Sequence, residues 1–246
     1  MKLKTVSAKI RIISTTFFLL LFPVIFYYLS PVIPLAGASE GIITGSLIIF
    51  GLMFIFSIFF GRLFCSYICP GGKIEDLVEG AQNKKFRRTR FNWIKYLIWI
   101  PWVFMLLFLF WKTGGVNAVN FTYMTVSGIS VSDVPSLIIF IIVSLVFFIL
   151  PLLFGRRAAC HTICWMAPFM IAGKKLGKTL NIPSLHISAD KDSCIHCLRC
   201  NERCVMSIDV ERYVDKENVD TTDCILCSEC VDACPVSALS LKWSRQ

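Results

Sequence analysis

The chain has 246 residues, 56% of them hydrophobic and 17% charged, a balance too apolar for a soluble domain of this size. Its net charge of +9 conceals a split: residues 1–184 carry 18 Lys/Arg against 5 Asp/Glu, and residues 185–246 carry 7 against 11. The basic residues flank apolar segments, which points to lipid headgroups and away from nucleic acid.

Four segments lack charge for about 20 residues, the length that spans a hydrocarbon core. The first is Ile12–Leu29. Its basic tip and the following Ala36-Gly37-Ala38 resemble a secretory signal, but its length favours an uncleaved helix. The second, Ile42–Phe60, runs into Phe60-Gly61-Arg62-Leu63-Phe64-Cys65-Ser66-Tyr67-Ile68-Cys69-Pro70. A basic connection follows, and its run Lys84–Arg90 suits lipid headgroups or an acidic surface, including that of the acidic C-terminal unit. The third segment is Trp93–Trp111, with Lys95 placed to snorkel to the interface. Residues 113–135 form a polar, nearly uncharged connector. The fourth, Leu137–Phe154, runs into Phe154-Gly155-Arg156-Arg157-Ala158-Ala159-Cys160-His161-Thr162-Ile163-Cys164. Pro23, Pro101 and Pro151 predict kinks, which helices in lipid tolerate.

Lys and Arg concentrate before the first segment (Lys2, Lys4, Lys9, Arg11), between the second and third (Arg87 and Arg88 among them), and after the fourth. The rule that cytoplasmic loops are basic then predicts a multi-pass protein of the cell membrane with both termini cytoplasmic. The second and fourth segments also end alike, in Phe-Gly-Arg and a Cys-x3-Cys pair, the second copy having one extra residue before its first cysteine. Two helical hairpins repeated in the same sense imply an axis along the membrane normal. Such an axis brings Cys65, Cys69, Cys160 and Cys164 together at the cytoplasmic edge, with the two cysteines of each pair on one helical face. Four thiolates are what one iron–sulfur cluster requires. Arg62 and Arg156 are the candidate cations beside it, and the Pro70-Gly71-Gly72 break offers backbone N–H groups to its sulfurs. A dithiol/disulfide switch, a zinc ion on four sulfurs and packing cysteines are the other readings of these four.

The remaining eight cysteines are Cys194-x2-Cys197-x2-Cys200-x3-Cys204 and Cys224-x2-Cys227-x2-Cys230-x3-Cys234-Pro235. Such tandem runs hold two [4Fe–4S] clusters, the fourth cysteine of each run ligating the other cluster. Cys194, Cys197, Cys200 and Cys234 therefore form one ligand set, and Cys204, Cys224, Cys227 and Cys230 the other. Ile195, Leu198, Met206, Ile208, Ile225, Leu226, Val231 and Val236 are expected to shield them. Spacings this short suit clusters better than disulfides, and a reducing cytoplasm suits the ferredoxin unit. The three histidines, His161, His186 and His196, lie outside the four segments, so no pair is placed to hold a haem within them. His196 is expected to face solvent, and His161, between two motif cysteines, is a candidate tuning residue or proton carrier.

The expected fold is a membrane all-α four-helix bundle of two parallel hairpin repeats (1–184) with a C-terminal α+β two-cluster ferredoxin domain (185–246). Four helices, two Cys-x3-Cys motifs and a ferredoxin, in this order, resemble the NapH/NosR-type membrane-bound polyferredoxins over nearly the whole chain. The second pair departs from that pattern, with Trp165 where a proline is usual, and so does Cys204-Val205. The resemblance implies electron relay between the quinone pool, or another membrane donor, and partner redox subunits. A quinol or quinone oxidoreductase with its own pocket, a redox-sensing membrane regulator and an assembly factor for another metalloenzyme are the alternatives.

Overall fold

The computed structural model describes residues 6–86 and 89–245; Lys2, Lys4, Arg87 and Arg88, counted above for orientation, lie outside them. The first apolar segment is broken. Helix α1 (Val6–Leu20) stops one residue before α2 (Phe22–Ile25), and a 3₁₀ turn at Tyr27–Leu29 and α3 (Val32–Ala38) follow. Pro23 has no N–H to continue the ladder of α1, so the break falls there.

Strand β1 (Ile42–Thr44) opens the second segment, where sequence alone places helix, and leads into α4 (Gly45–Phe60). Two short helices, α5 (Leu63–Tyr67) and α6 (Pro70–Val78), carry the first motif. A 3₁₀ turn at Thr89–Trp93 leads into α7 (Ile94–Lys112). Strand β2 (Ala118–Asn120) pairs in parallel with β1, Ile42 opposite Ala118, so the polar connector is tied to the start of α4. The second half repeats the first with α8 (Val134–Phe154), α9 (Ala158–Thr162) and α10 (Ala167–Thr179).

Two helical stretches, Phe91–Lys112 and Val134–Phe154, are long and apolar enough to cross a membrane. Both run on through their prolines, Pro101 and Pro151. The other two expected spans are shorter as helices. α4 has 16 residues, about 24 Å at 1.5 Å per residue, and α1 has 15 before its break. All four expose large apolar side chains, among them Ile13, Leu20, Leu52, Ile55, Phe104, Leu107, Ile142 and Leu153.

Packing crosses between the two halves. α6 of the first half lies on α8 of the second, and α10 of the second lies on α4 of the first. Glycines permit both approaches. A Cβ at Gly177 would stand 2.6 Å from the Ile58 carbonyl oxygen, and one at Gly173 would collide with the Phe54 carbonyl and Ser57 Oγ. Small residues four apart let helix backbones meet closely. On α6, Gly71 faces the Phe147 ring of α8, 3.1 Å from where its Cβ would be.

The C-terminal segment is α+β. Strand β3 (Ser184–Ala189) pairs antiparallel with β4 (Leu239–Ser244), Ser184 opposite Ser244. Between them lie α11 (Arg199–Arg203), a 3₁₀ turn at Val210–Lys216 and α12 (Glu229–Ala233).

Candidate iron–sulfur sites

The eight C-terminal cysteines divide between two cavities. Cys204, Cys224, Cys227 and Cys230 line one, and Cys194, Cys197, Cys200 and Cys234 line the other. Each set takes its fourth cysteine from the other run, as the crossed ligation of tandem clusters requires. The chemistry of four thiols around one cavity fits an iron–sulfur cluster in both. The two runs also fold alike. His196, Leu198 and Ser207 in the first, and Leu226, Ser228 and Ser237 in the second, all have φ between 51° and 63°. Left-handed backbone of this kind turns successive N–H groups inward to form an anion-binding concavity. In each run the amide four residues after the last cysteine donates to its sulfur: Ile208 N to Cys204 Sγ at 3.4 Å, Ala238 N to Cys234 Sγ at 3.3 Å.

The two cavities differ in exposure. Ile187, Met206, Val210, Val219 and Ile225 are almost fully buried around the Cys204 set, while Leu226, also buried, lies toward Gly61. Around the Cys194 set, Cys197 is exposed, and Ile195, Leu198 and Val236, expected to shield a cluster, are 60%, 48% and 37% accessible. The two runs have the same spacing, so the difference comes from docking: Cys204, Cys224 and Cys230 share one buried core with the helical segment, against which Cys194 and Cys200 are only partly buried. His196 is exposed there and pairs with Glu211 at 2.8 Å.

Cys65, Cys69, Cys160 and Cys164 are all buried, and they share one apolar core with Cys204, Cys224 and Cys230. They stand close enough for charge on one to act on the next: Cys69 responds to Cys65 and Cys164, and Cys160 to Cys164 and Cys69. The repeat thus assembles four thiols from its two halves. Neither pair lies on one continuous helix, however. Cys65 sits in α5 and Cys69 is the N-cap of α6, in extended backbone. Pro70 disfavours helical backbone at the residue before it. Cys160 lies in α9, and α10 starts three residues after Cys164. Each second cysteine therefore meets the amino end of a helix, where unpaired N–H groups favour negative charge. Gly72 N–H bonds to Cys69, and the Ala167 and Met166 N–H groups bond to Cys164. Burial nonetheless pushes the Cys164 thiol up to about 11, so a thiolate there would need a metal to displace the proton. Among the described residues no three His, Cys, Asp or Glu side chains converge as the ligands of a single metal ion would.

The cations beside this centre are Arg62 and Arg157, both about 2% exposed or less. Burial works against the charge of Arg62, and Cys65, Asp223, Cys164 and Cys160 outweigh it; its Nη2 is 3.9 Å from Cys65 Sγ. Arg157 makes a bidentate pair with Asp76, at 2.8 and 2.7 Å, and reaches the Cys65 carbonyl at 3.3 Å. Arg156, the candidate from the Phe-Gly-Arg alignment, instead turns to Asn83, Glu79 and the Glu202 carbonyl. The extra residue of the second copy is the reason: counted back from the first cysteine, Arg62 and Arg157 are each three residues away. Glu75, which sequence reading did not single out, accepts from Ala159 N at 2.8 Å, and burial pushes its carboxyl up to about 7 against the pull of Arg157. His161 stacks on Phe86 and bonds through Nε2 to the Met206 carbonyl at 3.0 Å. Burial lowers it to about 4, so the ring is neutral.

The acidic C-terminal segment is docked on basic groups. Asp223 faces Lys95 at 3.4 Å, Arg62 at 3.8 Å and Asn92 at 2.9 Å. Lys95 is thus buried in an ion pair and does not snorkel. Lys174 bonds the Thr221 carbonyl at 2.9 Å, and Arg11 pairs with Glu229.

Residues 42–89 and 136–183 each match the 4Fe–4S binding domain family, which makes the internal repeat two copies of one domain. Residues 193–239 match the 4Fe–4S dicluster domain family. The chain carries 4Fe–4S domains of the ferredoxin type. It is 25% identical over 239 residues to YccM of Escherichia coli (strain K12), provisionally named an electron transport protein, covering 88% of this chain and 62% of that one. An uncharacterized protein of Methanocaldococcus jannaschii is 25% identical over 73% of this chain and 64% of its own length. Over 67 residues the chain is 34% identical to NADH-quinone oxidoreductase subunit I 2 of Geobacter metallireducens, covering 24% of this chain and 51% of that subunit. The chain thus spans less than two thirds of the length of these three relatives. No solved structure matches it.

Proposed function

We propose that the chain is an integral membrane iron–sulfur protein that relays single electrons between the quinone pool, or another membrane donor, and partner redox subunits. The observation that carries this reading is the shared core of the two Cys-x3-Cys pairs and the Cys204 set. Four buried thiols from two copies of a 4Fe–4S binding domain, two buried arginines and two helix amino ends make a site for a third, anionic cluster in addition to the two of the ferredoxin segment. A mononuclear zinc ion leaves the attached ferredoxin segment unexplained, and a packing role leaves the repeat and the arginines unexplained.

The chemistry of such clusters is one-electron exchange. The residues of the chain hold them, exclude water and set the local charge. Arg62 and Arg157 offset the negative charge of four thiolates, and the apolar core around them keeps that charge in a weakly screening medium. The membrane reading rests on Phe91–Lys112 and Val134–Phe154 together with the exposed apolar faces of α1 and α4. The four segments then form a bundle of the NapH/NosR type, with the cysteines on its basic, cytoplasmic side. YccM and the quinone oxidoreductase subunit support a partner in a membrane redox complex.

Iron and acid-labile sulfide in anaerobically purified protein test the reading. Wild type is expected to hold about twelve irons, and Cys65→Ser/Cys160→Ser about eight, the content of two cubanes. About eight in both rejects a third cluster.

A further inference from the structure

The residues directly after Cys65 and Cys160 each hydrogen-bond to the ferredoxin segment, and both reach the same ligand set, beside a further bond from Arg62 Nη1 to the Thr222 carbonyl at 3.1 Å. Ser66, directly after Cys65, is fully buried and its Oγ lies 2.8 Å from the Ile225 carbonyl, next to Cys224. The same hydroxyl lies 2.9 Å from the Leu63 carbonyl, so its single proton is shared between the two oxygens. His161, directly after Cys160, bonds to the carbonyl of Met206, two residues after Cys204. A carbonyl only accepts, so Nε2 carries the hydrogen. The repeat has thus placed a donor at the same position in both halves, and each donor grips a loop that carries a ligand of the buried cavity. Among the described residues the hydrogen bonds of Ser66 and His161 do not reach the Cys194 set, whose run is held instead by Arg156 at the Glu202 carbonyl, and that set stands open to solvent at Cys197.

We propose that Ser66 and His161 are positioning residues that make the Cys204/Cys224/Cys227/Cys230 centre the direct electron-exchange partner of the Cys-x3-Cys centre, and leave the Cys194/Cys197/Cys200/Cys234 centre as the outward terminus of the relay. The inference rests on the reading of a third cluster given above. The step is an exchange of one electron between two centres of this chain, one oxidised and the other reduced by a single unit, with no bond broken and no proton moved. The two bridges fix the separation and supply a covalent and hydrogen-bonded route: Cys65, Ser66, the Ile225 carbonyl and Cys224 on one side, and Cys160, His161, the Met206 carbonyl and Cys204 on the other. The ion pairs at Asp223 and Glu229 dock the segment independently, so removal of the bridges loosens the junction without releasing the segment.

The test uses the full chain in detergent, anaerobic, with electrons injected at the solvent-exposed face by a photoexcited flavin and each centre followed by freeze-quench electron paramagnetic resonance. In Ser66→Ala/His161→Leu the ferredoxin signals are expected to appear at the wild-type rate and the third signal about tenfold later, equivalent to about 1.4 kcal/mol of barrier. Ser66→Ala/His161→Gln, which restores one donor, is expected to recover part of the rate. A third signal in wild type whose rate is unchanged in both variants overturns this inference alone. Wild type without a third signal overturns it together with the reading it rests on.

Discussion

Asp223→Asn isolates the charge that holds the C-terminal segment on its base. The change keeps the shape of the side chain and its contact with Asn92 at 2.9 Å, but leaves Arg62 and Lys95 facing a neutral amide. At an effective dielectric of 20, unit charges at the separations seen here, 3.8 and 3.4 Å, attract by about 4–5 kcal/mol each. Most of that offsets the desolvation of two buried cations. Breaking a buried pair costs about 3–5 kcal/mol, and the partial exposure of Asp223 puts this case near 3. That amount lowers the ratio of docked to undocked segment about 150-fold. Amide hydrogen exchange in Thr221–Ile225 is the assay, since undocking should expose that stretch to solvent. Because both cations are buried, the effect should survive high salt. Lys95→Met in the same background should then cost less than it does alone, the two changes being coupled through one carboxylate. Unchanged exchange in the single variant, or strict additivity in the double, would refute the latch.

Three further outcomes follow from the geometry. Arg157→Met should lower stability by about 3–5 kcal/mol in a detergent thermal melt because it leaves Asp76 and Glu75 without their cation, whereas Arg156→Met, at a partly exposed site, should cost under about 1 kcal/mol; equal effects would restore the Phe-Gly-Arg alignment. Gly173→Ala should push α10 from α4 and destabilise by about 1–3 kcal/mol, read as a lower melting temperature, and Gly51→Ala, where a Cβ meets nothing within 4 Å, is the control. Mild oxidation with a chelator should remove iron first from the exposed Cys194 set and last from the buried Cys204 set, visible as stepwise loss of two distinct paramagnetic signals; simultaneous loss would contradict the difference in burial.

Much of the site was legible in the sequence because cysteine spacing encodes it directly. The crossed ligand sets are read from two runs of the same spacing, and the same groups of cysteines line the two cavities. The meeting of Cys65, Cys69, Cys160 and Cys164 follows from the repeat. What was not legible depends on packing. Nothing local marks Glu75 as buried, or tells Arg157 from Arg156 until the copies are aligned from their cysteines. The helix break between Cys65 and Cys69 was signalled by Pro70 directly after the cysteine, whereas in the second copy the proline, Pro168, stands four residues on and marks only the start of α10. Hydropathy showed four apolar segments, yet it does not register that Pro23 divides the first or that β1 takes the start of the second. Nor does it show that Lys95 turns inward to Asp223, a partner 128 residues away in the chain.

The exchange of helices between the halves has a consequence for how the protein is made. Because α6 rests on α8 and α10 on α4, the first hairpin leaves the ribosome with the bed for α10 still bare and its own short helix without a support. Two cysteines are then waiting for two more that have not been synthesised. The four cysteines can therefore meet only late in biogenesis, and each half serves as the scaffold on which its twin is completed.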